Sequence, residues 1–211
     1  MSLLCCNFAF DFKSDRMLNR IKRMFIWLRR CRHCRGFGIQ SPWAYRFVRY
    51  VVNEHYPYYA YDELKKTSPL TDKTRLKLYR LYFRIANFAQ AEQWTVCLSG
   101  QEVVTRYINA GCKKTRVINN LHGNVADSLK NSTILLVDLR NDRKETYLQF
   151  IEHAGQHSIL IINGIYTTAE SIRIWRRIEQ DYRTGITFDL YYCGIVFFDM
   201  KKHKQNYIIN F

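Results

Sequence analysis

The sequence predicts an α/β fold: a mostly parallel, buried sheet, preceded by a helical N-terminal extension and finished by antiparallel C-terminal strands. Three observations carry this. The first 90 residues repeat apolar side chains at helical spacing, and from Trp94 the pattern changes to short apolar runs separated by helix-length gaps. From Ile186 to the end the chain is β-rich, with short links.

Between Arg16 and Arg35 there is no acidic residue. Arg16, Arg20, Lys22, Arg23, Arg29, Arg30, Arg32 and Arg35 surround a stripe of Met17, Leu18, Ile21, Met24, Phe25, Leu28 and Cys31. This three/four spacing makes a basic amphipathic helix. Its stripe suits docking on the chain's own domain with the basic face in water. The same pattern suits RNA or another anionic partner, or peripheral contact with a membrane through Phe25, Trp27 and Leu28 and the flanking Arg residues. Gly36 to Gly38 breaks the helix. Ser41 and Pro42 then read as an N-cap and a first-turn proline opening a helix through Trp43, Phe47, Val48, Val51 and Val52. A short helix at Asp62, Glu63 and Leu64 follows the Tyr-rich turn and leads into a polar link around Pro69. A third helix runs from Asp72 to Gln90 on Leu76, Leu78, Tyr79, Tyr82, Phe83, Ile85 and Phe88.

Thr95 to Leu98, Arg116 to Ile118, Thr133 to Val137 and Ile159 to Ile162 read as buried parallel strands of a βαβ array. Helices fill the gaps at Glu102 to Asn109, Asn124 to Lys130, Arg143 to His153 and Thr168 to Tyr182. The segments Ile186 to Tyr192, Ile195 to Phe198 and Asn206 to Phe211 read as strands closing one edge, with Phe188 to Phe198 and Gln205 to Phe211 as an antiparallel pair. The expected division is a basic segment over 1–35, a helical part of the domain over 36–90 and the sheet-containing core over 91–211.

At 211 residues the chain holds one core, and 47% hydrophobic with 24% charged residues is an ordinary globular balance. The formal charge of +15 attracts nucleic acid, acidic lipid or phosphate-bearing metabolites without choosing among them. Seven Cys without framework spacing, and no secretory signal pattern, point to free thiols in the cytoplasm. Cys31, His33 and Cys34 have the spacing of half a zinc site, and no second half follows, so no metal is expected. No apolar run reaches the length of a spanning helix. Walker loops, nucleophile elbows and paired-carboxylate sites are not found in the sequence.

Four segments carry a family resemblance: Gly36 to Tyr45 (GFGIQSPWAY), Tyr56 to Glu63 (YPYYAYDE), Phe188 to Phe198 (FDLYYCGIVFF) and Tyr207 to Phe211 (YIINF). With them the chain after Gly36 resembles a group of small class I S-adenosylmethionine-dependent methyltransferases of Bacteroides-type bacteria. The resemblance implies a Rossmann-like seven-stranded sheet. It also implies a cofactor site made by an acid, a hydrophobic residue and a glycine-rich turn after the first strand, with a second acid after strand two for the ribose hydroxyls.

This chain departs from that pattern. Cys97 stands where the first acid is expected, Ser99 and Gly100 follow, and Glu102 and Val103 fall in a turn expected to need bare backbone at positive φ. Asn119 or Asn120 replaces the ribose acid, keeping a hydrogen bond without the charge. Only 40 positions separate Leu98 from Asp138, too few for two full strand-helix units. Asp138 matches an acid placed beside substrate or metal, and also reads as a turn or cap residue. Ile161 to Gly164 (IING) lacks the family's paired acids, and Tyr166 stands where a His would be expected. The cofactor-site residues implied are therefore Cys97, Ser99, Gly100, Asn120 and Asp138, with S-adenosylmethionine as the cofactor. The expectation is a non-catalytic, methyltransferase-like pseudoenzyme that binds an anionic or protein partner. The alternative is an active methyltransferase of the O-methyltransferase type.

Overall fold

A computed structural model describes residues 21, 23–33, 36–67, 72–120, 129, 132–141 and 144–211. The link around Pro69, the helix expected at Asn124 to Lys130 apart from Leu129, and Arg16, Met17, Leu18, Arg20, Lys22, Cys34 and Arg35 lie outside the described residues.

Residues 23–29 are helical (α1). Ser41 caps the next helix, α2 (Pro42–Phe47), by accepting from the Ala44 amide at 3.3 Å, and Pro42 opens it. The helix widens into a π turn over Val48–Val52, the Asn53 amide donating back to the Val48 carbonyl at 2.8 Å, and stops at Asn53. After α3 (Ala60–Thr67), the Asp72 carboxylate caps α4 (Lys73–Ala89) at the Thr74 amide, 2.8 Å away, and left-handed Gln90 ends it. The remaining elements are β1 (Gln93–Cys97), α5 (Gln101–Gly111), β2 (Arg116–Asn119), β3 (Ile134–Asp138), α6 (Lys144–His153), β4 (Ile159–Asn163), α7 (Ala169–Gln180), β5 (Ile186–Asp189), β6 (Cys193–Phe197) and β7 (Gln205–Ile208). Thr168 and Ser171 form a capping box before α7.

The seven strands form one sheet in the order β2-β1-β3-β4-β6-β5-β7. The first four are mutually parallel, and β6 is antiparallel to both β4 and β5. This is the expected mixed α/β sheet with an antiparallel strand near its C-terminal edge. Two expectations need correction. The Gln205 to Phe211 segment does not pair antiparallel with the preceding strands: β7 passes to the far side of β5 and runs parallel to it. Two reversals, β5 to β6 and β6 to β7, restore the direction of β5. Nor is β2 buried, because it is the edge strand among those described, and its residues are half-buried or exposed.

Side-chain alternation along the strands splits the core in two. Trp94, Val96, Ile134, Leu136, Ile159, Ile161, Phe188, Ile195 and Phe197 point into a cluster covered by α2, α3, α4 and α5. Cys97, Leu135, Val137, Leu160, Ile162 and Val196 point the other way, against Phe150 of α6 and Trp175 of α7. Trp43 stacks on Phe47 with centroids 5.8 Å apart, and its ring meets Phe197 edge-on at 4.8 Å. Two of the segments that carry the resemblance are thus packing partners.

Candidate functional site at the carboxyl ends of the strands

From β1 the chain turns one way to β2, and β3 lies on the other side of β1. In open α/β sheets, ligands bind outside the carboxyl ends of the strands at such a switch point. Here that crevice is bounded by the ends of β1, β3 and β4 and by α4.

After β1, Leu98 is buried toward α4, while Ser99 and Gly100 are exposed. Gly100 has φ +75° and forms the N-cap of α5. A side chain there would be strained in the left-handed region, and a Cβ would come within 4.0 Å of the Tyr79 hydroxyl. Glu102 and Val103 are not in the turn. Both lie in the first turn of α5, Glu102 exposed and Val103 packed on the core, so the expected clash with positive φ does not arise. Cys97, the predicted counterpart of the missing acid, is fully buried with Leu135 and Val137 on the opposite face of the sheet. Strand alternation turns it away from Leu98 and from α4.

On β2, the Asn120 amide donates to the Val96 carbonyl at 3.0 Å and the residue is half-buried. Asn119 is exposed and accepts from the Thr105 hydroxyl at 3.2 Å. Asp138 and Asn163 are register partners at the ends of β3 and β4, both buried and both on the α4 side. Asn163 accepts from the buried Tyr82 hydroxyl at 2.7 Å. Asp138 is engaged by its own neighbour: the Arg140 amide and Nε reach Oδ1 at 2.9 and 3.0 Å, and Nη2 reaches Oδ2 at 2.5 Å. This bidentate pairing raises the pKa of the Arg140 guanidinium further. Gly164 follows with φ +74°, and a Cβ there would sit 3.3 Å from Asp138 Oδ1.

Thus Ser99, Gly100, Asn120 and Asp138 come to one rim, and Cys97 does not. Sequence reasoning missed Tyr79, Tyr82 and Arg140. Tyr79 and Tyr82 share the α4 face that meets the sheet, and Arg140 stands two residues after a strand-terminal Asp.

A second polar centre lies at the β5 end. Asp189 is fully buried and accepts from Arg30 Nη2 at 2.9 Å, the Tyr166 hydroxyl at 2.6 Å and the Tyr191 amide at 2.9 Å. Tyr166 and Tyr191 stack with centroids 5.0 Å apart, and the Arg30 guanidinium lies 5.5 and 5.3 Å from their rings. Burial, and then the bond to Asp189, pushes the Tyr166 phenol up to about 12. Tyr166 at the expected His position is therefore a structural partner of Asp189. Arg30, expected on the solvated face of the basic helix, is buried and ties α1 to the domain, donating also to the Asp189 and Ile209 carbonyls at 3.0 and 3.3 Å.

No protein-family model and no curated protein sequence matches the chain. Among solved structures, a methyltransferase from Geobacter sulfurreducens is 10% identical with a TM-score of 0.46, over 66% of this chain and 87% of that one. The SAH-bound Podospora anserina methyltransferase PaMTH1 is 10% identical with a TM-score of 0.48, over 76% and 97%. MycE methyltransferase from the mycinamycin biosynthetic pathway, in complex with Mg and SAH, is 10% identical with a TM-score of 0.46, over 71% and 50%.

Proposed function

We propose that this chain is a methyltransferase-like protein that acts by holding an anionic lipid surface rather than by transferring methyl groups. The observation that carries the reading is α1. Arg30 anchors its end in the domain, while Met24, Phe25 and Leu28 are 54%, 59% and 49% exposed and Arg23, Arg29 and Arg32 are exposed around them. Of the stripe read as suited to docking on the domain, the described residues Ile21, Met24, Phe25, Leu28 and Cys31 are exposed instead. An aliphatic and aromatic stripe flanked by Arg matches the boundary between acyl chains and anionic headgroups. A phosphate backbone would use the charges and leave the stripe wet, so lipid is favoured over RNA.

The cofactor half of the proposal rests on the crevice. S-adenosylmethionine would need a carboxylate for its ribose hydroxyls, and of the implied residues only Asp138 is one. Its oxygens are taken by Arg140, Cys97 is on the other face, and Ser99, Gly100 and Asn120 bring no charge. The implied set does not fit the cofactor, and no methyl-transfer step is derived.

Co-sedimentation with phosphatidylserine-containing vesicles tests the reading. Binding should be strong, absent on phosphatidylcholine alone, and weakened by Phe25→Ser. A preference for RNA over vesicles, or one-to-one micromolar binding of S-adenosylmethionine by calorimetry, would overturn the corresponding half.

A further inference from the structure

A cavity of about 910 Å³ opens along α4 between the 53–62 turn, Trp27 of α1 and the C-terminal Phe211. Lys77, Arg80 and Arg84 line it at i, i+3 and i+7 of α4, so they share one helical face. The residues of α4 that meet the sheet, Tyr79 and Tyr82, lie on a different face.

Three features point to a ligand. First, Tyr61 is more than nine-tenths buried, with the Arg84 guanidinium beside its hydroxyl, and that hydroxyl donates to no group; the Arg80 Nε and Asn53 Nδ2 atoms, on half-buried residues, have no acceptor either. All three line the cavity and all three can donate, so the missing partner is an acceptor. The Arg80 guanidinium carbon lies 4.8 Å from the Tyr61 ring centroid, which puts two of these donors side by side. Second, among the described residues none of Lys77, Arg80 and Arg84 pairs with a carboxylate. Arg84 is spent on the Val51 and Val52 carbonyls that the π turn leaves open, at 2.5 and 3.1 Å. Lys77 is held 4.2 Å from the Phe211 ring centroid, and burial, then Arg23 and Arg84, lowers its pKa. A bound anion would relieve that repulsion. Third, the cavity is far larger than one oxyanion, and Tyr61 and Phe211 give it aromatic walls.

We propose that this cavity binds a small organic phosphate monoester, its phosphate oxygens taking the free donors of Tyr61 and Arg80 and the charge of Lys77, its organic body lying against the aromatic wall. Trp27 of α1 lines the cavity, whereas the exposed Met24, Phe25 and Leu28 do not. Phosphate monoesters occur both as soluble metabolites and as the headgroup of phosphatidic acid, and the two share this recognition chemistry.

Calorimetry of the full chain with phenyl phosphate tests it. One-to-one binding is expected, with none for phenol. Tyr61→Phe removes a hydroxyl that donates to no group in the protein, so it should weaken phenyl phosphate about tenfold with Tm changed by no more than the loss of its contact with Arg84. Lys77→Gln should weaken it at least as much, while Arg29→Glu on α1, which does not line the cavity, leaves it within about twofold, since charges at a distance are screened. Competition by phosphatidic acid vesicles would assign the headgroup as the source, and failure to compete would assign a soluble ester. No binding of phenyl phosphate, equal loss from Arg29→Glu and Lys77→Gln, or a Tyr61→Phe variant of full affinity would overturn the site.

Discussion

Asp189 has a partner for each of its oxygens, and one of them crosses from the far end of the chain. Its pair with Arg30 is buried on both sides, at 10% and 0% side-chain exposure. Removing one member of such a pair leaves an uncompensated buried charge, costing about 3–5 kcal/mol. Arg30→Met should therefore lower stability by about that much, and Tm by about 2–4 °C per kcal/mol for a chain of this size. A denaturation curve within 1 kcal/mol (about the spread of surface substitutions) of the parent would show that the pair is not formed. Arg30 was not legible as the anchor, because eight basic residues look alike in sequence. The helix ends at residue 29, and the turn at 30 is what takes this one side chain off the exposed face. Gly194 poses the opposite problem: a Cβ there would lie 2.3 Å from Trp175 Cζ3, inside the apolar cluster. Gly194→Ala should cost about 1–3 kcal/mol by overpacking, read by the same curve. At the crevice, the loss of one charged hydrogen bond to a ligand costs about 1.5–3 kcal/mol, which moves a micromolar site toward the millimolar range. S-adenosylmethionine should accordingly give no thermal shift at sub-millimolar concentration.

Among the elements, α2, α4, α5, α6 and α7 and the strands β1, β3 and β4 stand where helical periodicity and short apolar runs put them. Local chemistry is enough there: Ser41-Pro42 caps α2, Asp72 caps α4, and each buried strand is bounded by polar turns. What periodicity does not carry is pairing. The side chains of β7 alternate the same way whether the strand runs with or against its neighbour, so only the path over β5 sets its direction. The environment of α1 was equally hidden, because an amphipathic stripe looks the same whether it docks on the domain or on something else. The structure leaves the described part of that stripe exposed and ties the helix to the domain through Arg30 and the Trp27 carbonyl, so deleting residues 16–35 is a poor test of anion binding: it would also strip Arg30 from Asp189. Substitution on the exposed face separates the two. Each Arg near an anionic surface contributes about 1 kcal/mol, so Arg29→Gln with Arg32→Gln should weaken phosphatidylserine vesicle binding by about 30-fold at unchanged Tm. Co-sedimentation over a range of salt checks it, and a variant bound as tightly as the parent would move the contact elsewhere.

At the scale of the whole molecule, the tyrosines divide: Tyr61, Tyr79, Tyr82, Tyr107 and Tyr147 are core material, while Tyr45, Tyr50, Tyr56, Tyr59 and Tyr182 are exposed. Burial is the leading cause of the raised pKa of Tyr61, Tyr79, Tyr82, Tyr166 and Tyr192, with Tyr166 reaching about 12. The unfolded chain ionises its tyrosines near pH 10, so below that both states hold the same phenolic protons and these groups leave stability unchanged. Between about pH 10 and 12 the unfolded chain releases a proton that folded Tyr166 keeps. The unfolded state is then favoured, and stability falls as pH rises, by about 1.4 kcal/mol per pH unit for Tyr166, with the other raised tyrosines acting in the same direction. Lys77 and Lys204 act in the opposite sense, since burial lowers their pKa and the penalty is relieved as pH rises, but they are two groups against several. Rising pH also discharges lysines and eases the self-repulsion of a chain carrying +15, which stabilises the folded state. The two trends are separable by following tyrosinate absorbance rather than unfolding alone. The native protein should titrate fewer phenols by pH 11 than the denatured chain does, and Tyr166→Phe should flatten the alkaline decline while lowering stability below pH 10 by about 1.5–3 kcal/mol, for its charged hydrogen bond to Asp189 and the longer one from Arg176. Native and denatured titrations that superimpose would mean that these rings are solvated, and that the aromatic core between α4 and the sheet is not packed as described.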